Sequence, residues 1–352
     1  MSDWLHLREI AGLADAQWHG QDVAITGIST DSRRVQPGDL FVALKGEHFD
    51  AHDFISPELE QQAQALMVHQ ATVSSLPILQ VDDTLRGLSR WASAWRQQLA
   101  LKMLSITGSN GKTTVKQMCS SILAQMGSVC ATEGNLNNHI GVPLSLLKLR
   151  HEHDYAVIEL GANHQHEIAR LSELALADVS VITNAGPAHL EGFGSLDGVA
   201  QAKGEIIDGL SAEGSVVLNA DDAYFEQWCE RAGKRRVISF GCSEKADYSA
   251  QWLSDNCLQL KTAEYELNIQ LALQGQHNAY NAAAAAAACA ALGATADAIH
   301  DGLSSMQAIT GRLQMRVGRH GETIFDDSYN ANPASVKAAI EVLATATGST
   351  YL

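Results

Sequence analysis

The sequence predicts an α/β protein: a small mixed α/β N-terminal domain, a central doubly wound, mostly parallel sheet, and the start of a third domain. Three observations predict it. The runs "LKMLSIT", "YAVIEL", "DVSVITN", "GSVVLNA" and "RVISFG" are short, apolar and rich in β-branched residues, as strands buried on both faces should be. Helical patterns lie between strands, which is the order of a doubly wound sheet. The first of these runs passes into a helix through the glycine-containing turn of "SITGSNGKTTVKQM".

Residues 1–82 read as short strands and turns; Pro37-Gly38-Asp39 marks a turn before the apolar run "LFVALKG". In "DTLRGLSRWASAWRQQLA", Leu85, Leu88, Ala92, Trp95 and Leu99 recur at helical spacing, so an amphipathic helix leads into the next domain and a boundary falls near residue 82. The central domain spans 83–311. After its first strand, Val115, Met118, Ile122 and Met126 make an apolar stripe ended by Gly127. "NAYNAAAAAAACAALGA" is a helix whose small side chains allow close packing. From about 312 the chain restarts with the strand "ETIFDDS" and a helix that Asn332 is placed to cap, with Pro333 in its first turn. Val336, Ile340 and Leu343 give that helix an apolar face, and a further strand is expected to begin in "TGSTYL". A domain opening at 312 and spanning 312–352 has no room to close.

Composition excludes several classes. A formal charge of -16 opposes attraction to nucleic acid or to an anionic membrane. No run reaches the ~18 apolar residues of a membrane helix, and "MSDWLHLREIAG" lacks the basic-then-apolar order of a signal peptide, so a cytoplasmic protein without membrane insertion is expected. The six cysteines, 119, 130, 229, 242, 257 and 289, form no C-x-x-C pair and most of them read as small buried thiols rather than zinc ligands or disulfides.

The candidate chemistry begins at the glycine turn. Gly108, Ser109, Asn110, Gly111 and Lys112, between a strand and a helix, turn successive backbone N–H groups and a helix N-terminus onto one volume suited to phosphate. Lys112 would reach the β and γ phosphates, and the Thr113 hydroxyl is placed for Mg²⁺. The pattern G-x-x-x-x-G-K-[ST] requires a glycine five residues before Gly111, where Ile106 stands, so the loop is short. Glu159 ends the strand "YAVIEL" at the edge where α/β folds bind ligands; it suits Mg²⁺, against the plain alternative of a solvated strand end. His189, after "DVSVITN", reaches the same rim, where a lone histidine is more often structural.

The ordered segments "TGSNGKTTVK", "NLNNHIGVPLSLL", "ELGANHQHEI", "HLEGFGSLDGVAQAKGEI", "HNAYNAAAAAA", "GRLQ" and "DDSYNANPASV" resemble the Mur ligase family over essentially the whole chain. "STDSRRVQPGDLFVALKGEHFDAHDF", together with the pairing of "GANHQ" and "DDSYNANP", is similar to the branch that adds D-alanyl-D-alanine to UDP-N-acetylmuramoyl-tripeptide. The family's phosphate loop is the short form, and its third domain is a small Rossmann-like unit. The resemblance implies that ATP phosphorylates the terminal carboxylate of the tripeptide and that the dipeptide amine attacks the acyl phosphate, with peptidoglycan precursor as product.

The resemblance also implies roles. Gly108, Ser109, Asn110, Gly111, Lys112, Thr113 and Thr114 would hold the phosphates and a first Mg²⁺; Glu159 would support metal binding and His189 a second Mg²⁺. Lys203 matches the family's carbamylated lysine, although by itself it reads as a surface lysine on a helix. Asn278 and Asn281 would meet adenine, Arg312 phosphate and Asp327 ribose; alone these are a helix cap, a surface charge and a strand end. Thr30, Asp31, Ser32, Arg33, Lys45 and Gly46 match the motifs that hold the uridine diphosphate. Asn137, Asn138, Asn163 and His164 would line the peptide and acyl-phosphate region, and Tyr329 and Asn330 the dipeptide side. A monomer is expected from the family. Competing readings are a generic P-loop ATPase or kinase, a sister or folylpolyglutamate-type ligase, and a truncated protein that binds the UDP-linked substrate but ligates poorly.

Overall fold

The structure, a computed structural model, describes residues 4–253, 256–344 and 350–351. The chain divides into two compact units, Met1–Leu99 with Leu146–Lys148, and Ala100–Ser145 with Leu149–Leu352.

The first unit contains β1 (Leu5–His6), α1 (Leu7–Ala14), β2 (Gln17–His19), β3 (Ala24–Ile25), β4 (Gly27–Ser29), β5 (Asp39–Val42), α2 (Pro57–Glu60), β6 (Ala65–Val68), β7 (Ile78–Gln80) and α3 (Thr84–Gln97). Its five-stranded sheet has the order β2-β7-β6-β5-β4; β4 to β7 run parallel, and β2 is antiparallel at one edge. Every residue of β5 and β6 is buried, so these strands carry the core. Asp83 starts α3 by accepting the N–H of Arg86, and the apolar spacing turns Leu88, Trp91, Ala92 and Trp95 inward. Trp91 stacks on Trp4 at 5.3 Å, with Trp95 edge-on at 5.7 Å. This aromatic packing keeps α3 in the first unit, so the division between units falls at Leu99, whereas the helix spacing alone suggested a boundary near 82.

The second unit opens with β8 (Lys102–Thr107), α4 (Lys112–Leu123), β9 (Val129–Ala131), α5 (Gly141–Leu146), β10 (Tyr155–Glu159), α6 (Glu167–Ala175) and β11 (Val179–Ile182). It continues with α7 (Leu190–Phe193), α8 (Leu196–Gly204), β12 (Ser215–Asn219), α9 (Phe225–Ala232), β13 (Arg236–Gly241), β14 (Tyr248–Trp252), β15 (Cys257–Lys261) and β16 (Glu266–Gln270). Then come α10 (Gln276–Ala291), α11 (Ala296–Ser304), β17 (Gln314–Val317), β18 (Thr323–Asp326) and α12 (Pro333–Ala344).

A nine-stranded sheet has the order β16-β15-β14-β13-β12-β11-β8-β10-β9. It is parallel from β9 through β14, with β15 and β16 antiparallel at the far edge. β8 lies between β10 and β11, and the chain leaves it first toward one edge and later toward the other. The C-terminal end of β8 is therefore the topological switch point, where crossovers part and leave a crevice. Ala282 to Ala288 of α10 are all fully buried, and these small side chains let the helix lie close against α4 and the sheet.

The stripe of α4 is buried at Val115, Met118 and Ile122, but the helix ends at Leu123 and Met126 is exposed beyond it. The segment from 312 forms the antiparallel hairpin β17–β18 followed by α12, and it falls within the second unit. Of "TGSTYL", only Thr350 and Tyr351 are described, so the strand expected there lies outside the described residues. All six cysteines are free; only Cys119 and Cys289 are buried, the other four being partly exposed, which corrects the expectation that most are buried thiols.

Candidate active site

The loop 108–111 takes its shape from two glycines. Gly108 has φ 147° and Gly111 φ 82°, and a Cβ at either would run into a side-chain oxygen, Thr183 Oγ1 or Asn281 Oδ1. Only glycine brings the backbone this close while keeping the positive φ that opens α4. Ile106, at the place of the absent glycine, is wholly buried inside β8. The loop is braced from β11: Asn184 Oδ1 accepts the N–H of Asn110 at 3.0 Å, Thr183 Oγ1 donates to the Asn110 carbonyl at 2.5 Å, and Ser109 Oγ donates to the Gly186 carbonyl at 3.0 Å. Lys112 folds back over the loop, its Nζ donating to the Gly108 carbonyl at 2.6 Å. Burial lowers the Lys112 ammonium; Glu159 acts against this and Arg312 adds to it.

Glu159 is 3% exposed, at the end of β10. Its Oε2 accepts from the Thr113 hydroxyl at 3.0 Å, and its Oε1 accepts from Asn137 Nδ2 at 2.8 Å. Arg312 Nη2 donates to the same Thr113 hydroxyl at 3.1 Å. The guanidinium of Arg312 stacks on the Tyr329 ring at 4.4 Å, while its buried Nε has no hydrogen-bond partner among the described residues.

Around this centre lie two cavities. The first, of about 410 Å³, is lined by Asn278, Asn281, Thr114, Asp327 and Arg312, together with Asn110 and Gly111 of the loop. Asn278 and Asn281 are buried, and the Asn281 amide donates to Asn278 Oδ1 at 3.0 Å, which fixes both side chains. Asp327 accepts the N–H of Leu313 at 3.1 Å. The second, of about 800 Å³, is lined by Lys112 and brings together Asn137, Asn138, Glu159, Asn163, His189, Lys203, Tyr329 and Asn330. His164 does not line it; its side chain is exposed and its backbone N–H is held by Glu167 at 3.1 Å.

Lys203, in the last turn of α8, is 2% exposed, which sets aside the plain reading of a surface lysine. Its ammonium lies 5.1 Å over the Phe193 ring. Burial, helped by the nearby Lys112 ammonium, lowers it to about 7, against the pull of Glu167 and Glu205. His189 starts α7 at φ 53°, and burial followed by the charges of Lys203 and Lys112 keeps its imidazole below the ordinary range. The donor set of Glu159 carboxylate, Thr113 hydroxyl and Asn137 amide is hard oxygen and suits Mg²⁺, and the glycine cradle with the unpartnered Arg312 Nε suits a polyphosphate.

The uridine-diphosphate candidates all belong to the first unit. Asp31 accepts twice from the Arg33 guanidinium at 2.8 Å, and Arg33 holds the Asp31 carboxyl down at about 2. Lys45 Nζ lies 3.6 Å from Asp50, and a Cβ at Gly46 would meet the Phe49 ring. Thr30 and Ser32 lie in the same turn, after β4. Asp50 in turn meets His52 Nδ1 at 2.6 Å, and His52 Nε2 accepts the N–H of His69 at 3.2 Å. Both ring nitrogens of His52 are thus engaged, so this Asp-His-His group, with the composition of a metal site, is a structural clamp under the 45–50 loop.

Two residues of this centre were not legible. Lys116, one helical turn after Lys112, is buried 3.5 Å from Glu159; the motif "GKTTVK" contained it, but an i+4 lysine on an amphipathic helix reads as solvated. Asn332, anticipated only as a cap, also donates through Nδ2 to Asn110 Oδ1 at 2.6 Å.

Residues 106–289 match the profile of the Mur ligase middle domain, and residues 24–87 that of the Mur ligase family catalytic domain. The chain is 43% identical to the UDP-N-acetylmuramoyl-tripeptide--D-alanyl-D-alanine ligase of Escherichia coli (strain K12), over 97% of this chain and 77% of that protein. It is 35% identical to the ligase of the same name from Bacillus subtilis (strain 168), over 94% and 72%. A crystal structure of MurF from Acinetobacter baumannii superposes with a TM-score of 0.93 at 37% identity, covering 99% of this chain and 78% of that one. The MurF ligase of Thermotoga maritima in complex with ADP superposes with a TM-score of 0.81 at 31% identity, covering 90% and 74%. The middle-domain profile covers the glycine loop, Glu159, His189 and Lys203, and the long relatives span nearly all of the remainder: the chain belongs to the Mur ligase family.

Proposed function

We propose that this protein is an ATP-dependent ligase that joins D-alanyl-D-alanine to UDP-N-acetylmuramoyl-tripeptide, releasing ADP and phosphate, in peptidoglycan precursor synthesis in the cytoplasm. The observation that carries this reading is the placing of Lys112, Glu159, His189 and Lys203 around one cavity beside a nucleotide-sized cavity, on a chain so similar to ligases of that name.

The first cavity takes ATP, with adenine against Asn278 and Asn281, ribose toward Asp327, and the phosphates over the loop N–H groups, Thr114, Lys112 and Arg312. The terminal carboxylate of the tripeptide enters the second cavity beside Asn137, Asn138 and Asn163, within reach of the γ-phosphate; His164 stands at its margin. Phosphoryl transfer gives an acyl phosphate and ADP. The amine of the dipeptide, arriving on the side of Tyr329 and Asn330, attacks the acyl carbon, and phosphate leaves as the amide forms. Lys112 and Arg312 hold charge as it shifts from the γ-phosphate toward the leaving oxygen. Mg²⁺, held by Thr113 and Glu159, with a second ion near His189 and Lys203, would offset the repulsion between carboxylate and triphosphate. A Lys203 amine that is neutral near pH 7 can take up CO2, and the resulting carbamate would give that second site its anion. Thr30, Asp31, Ser32, Arg33, Lys45 and Gly46 take the uridine diphosphate. We assign the UDP-sugar to residues 1–82 with α3 packed on them, ATP to the chain from there to 311, and 312–352 to a C-terminal domain, acting as a monomer.

The test is ADP release with UDP-muramoyl tripeptide, with and without D-alanyl-D-alanine. We expect release to require both and Lys112→Ala to lower it about 100-fold or more. Release independent of either cosubstrate would favour a generic ATPase, and a panel of amino acids and dipeptides separates the sister ligases. Met315, Val317, Ile324, Val336 and Ile340 are exposed, which favours a second reading in which the chain binds the UDP-linked substrate but ligates slowly; saturable substrate binding without ADP release would establish it.

A further inference from the structure

We propose that Lys116 is a positioning residue for Glu159: a buried counter-ion that holds the carboxylate from behind and so leaves Lys112 and Arg312 to the phosphates. This rests on the reading of Glu159 as a metal-holding residue.

Lys116 is 1% exposed and is among the largest fully buried side chains of the described residues. It projects from α4 one turn after Lys112. Its Nζ donates to the Thr132 carbonyl at 2.7 Å and lies 3.5 Å from Glu159 Oε2. The hydroxyl of the same Thr132 accepts the backbone N–H of Glu159 at 3.0 Å. Lys116, Thr132 and Glu159 thus form a closed ring joining α4, the end of β9 and the end of β10. A neutral donor would satisfy the Thr132 carbonyl at far lower desolvation cost than an ammonium, so the charge answers to Glu159.

Two lysines face one carboxylate here, with Arg312 meeting it through the Thr113 hydroxyl, and their positions divide the work. Lys112 and Arg312 line the second cavity together with Glu159, whereas Lys116 does not. Without the ammonium behind it, a nearly buried carboxylate would be drawn toward the cavity cations, occupying the groups that phosphate needs and losing its alignment with the Thr113 hydroxyl. With Lys116 in place, Oε2 stays between the two, 3.0 Å from Thr113 Oγ1, and Oε1 stays on Asn137.

The test uses the whole chain and ADP binding measured calorimetrically, once with Mn²⁺ and once with EDTA; the ratio of affinities reports the metal. Glu159→Gln should cut this ratio about tenfold or more; if it leaves the ratio unchanged, the metal reading of Glu159 fails, and this proposal with it. Lys116→Met and Lys116→Gln should each cut the ratio about tenfold, the usual cost of removing an outer-shell partner, while leaving the EDTA affinity within about threefold of wild type. Combining Lys116→Met with Glu159→Gln should lower the ratio no further than Glu159→Gln alone, since the lysine acts through the carboxylate. With Glu159→Gln effective, any of four results overturns the proposal alone. These are an unchanged ratio in Lys116→Met, a wild-type ratio in Lys116→Gln that would reduce the lysine to a bond to Thr132, additive losses in the double variant, or a large fall in the EDTA affinity. Loss of cooperative unfolding in both single variants would make Lys116 a strut of the core and overturn it as well.

Discussion

Lys203 carries a charge that burial opposes, and this has a measurable consequence. Its folded value of about 7 lies below its ordinary 10.5. Between these values the unfolded chain binds a proton that the folded chain does not, so stability rises with pH across that window; below about 7 the cost is constant. Lys203→Met should therefore stabilise the protein at pH 7 in CO2-free buffer, by a few kcal/mol at most at about 1.4 kcal/mol per unit. The gain should shrink to nothing near pH 10.5, as read by urea unfolding at several pH values; a gain independent of pH would contradict this account. Individual site residues differed in how openly they could be read. Lys112, Thr113 and Glu159 were legible because motif spacing and strand ends fix where they point. The burial of Lys203 beside Phe193 and of Lys116 beside Thr132 and Glu159 depends on how separate helices and strands fold back onto one another, which no local pattern encodes.

The glycine loop and α12 show the same contrast for elements. Gly108→Ala should destabilise by about 1–3 kcal/mol, because a side chain is forced into positive φ against Thr183, and it should abolish ADP binding in calorimetry. Wild-type affinity would mean that the loop can move aside. For α12, Asn332 Oδ1 accepts the N–H of Ser335 at 3.0 Å, the cap expected from the sequence. Asn332→Ala should cost about 1 kcal/mol, seen as faster hydrogen exchange across α12 with the central sheet unchanged. The parallel strands were readable because both faces are covered and their runs are continuously apolar. β15 and β16 were not, because they form an edge that is only partly covered, and their residues alternate as in "ELNIQ". The helix α3 was found, but its allegiance was not, since that is decided by Trp4 some eighty residues earlier.

At the scale of the molecule, each compact unit has a core of its own, the first built around Phe41 and Leu66 and the second around β8, α4 and α10. Calorimetry should resolve two unfolding transitions, of which Mg·ADP raises only that of the second unit, by about 2.7 kcal/mol at 100 times its dissociation constant. A shift of both would show that the units melt together. The bond from Asn332 to the phosphate loop adds an order of events to this picture. Its partners stand 222 residues apart, whereas the loop's own braces come from Thr183 and Asn184, some seventy residues away. During synthesis the phosphate nest is thus complete long before α12 emerges. Asn110 is free to meet nucleotide first, and ATP would greet the growing chain before α12 arrives to compete for the same amide.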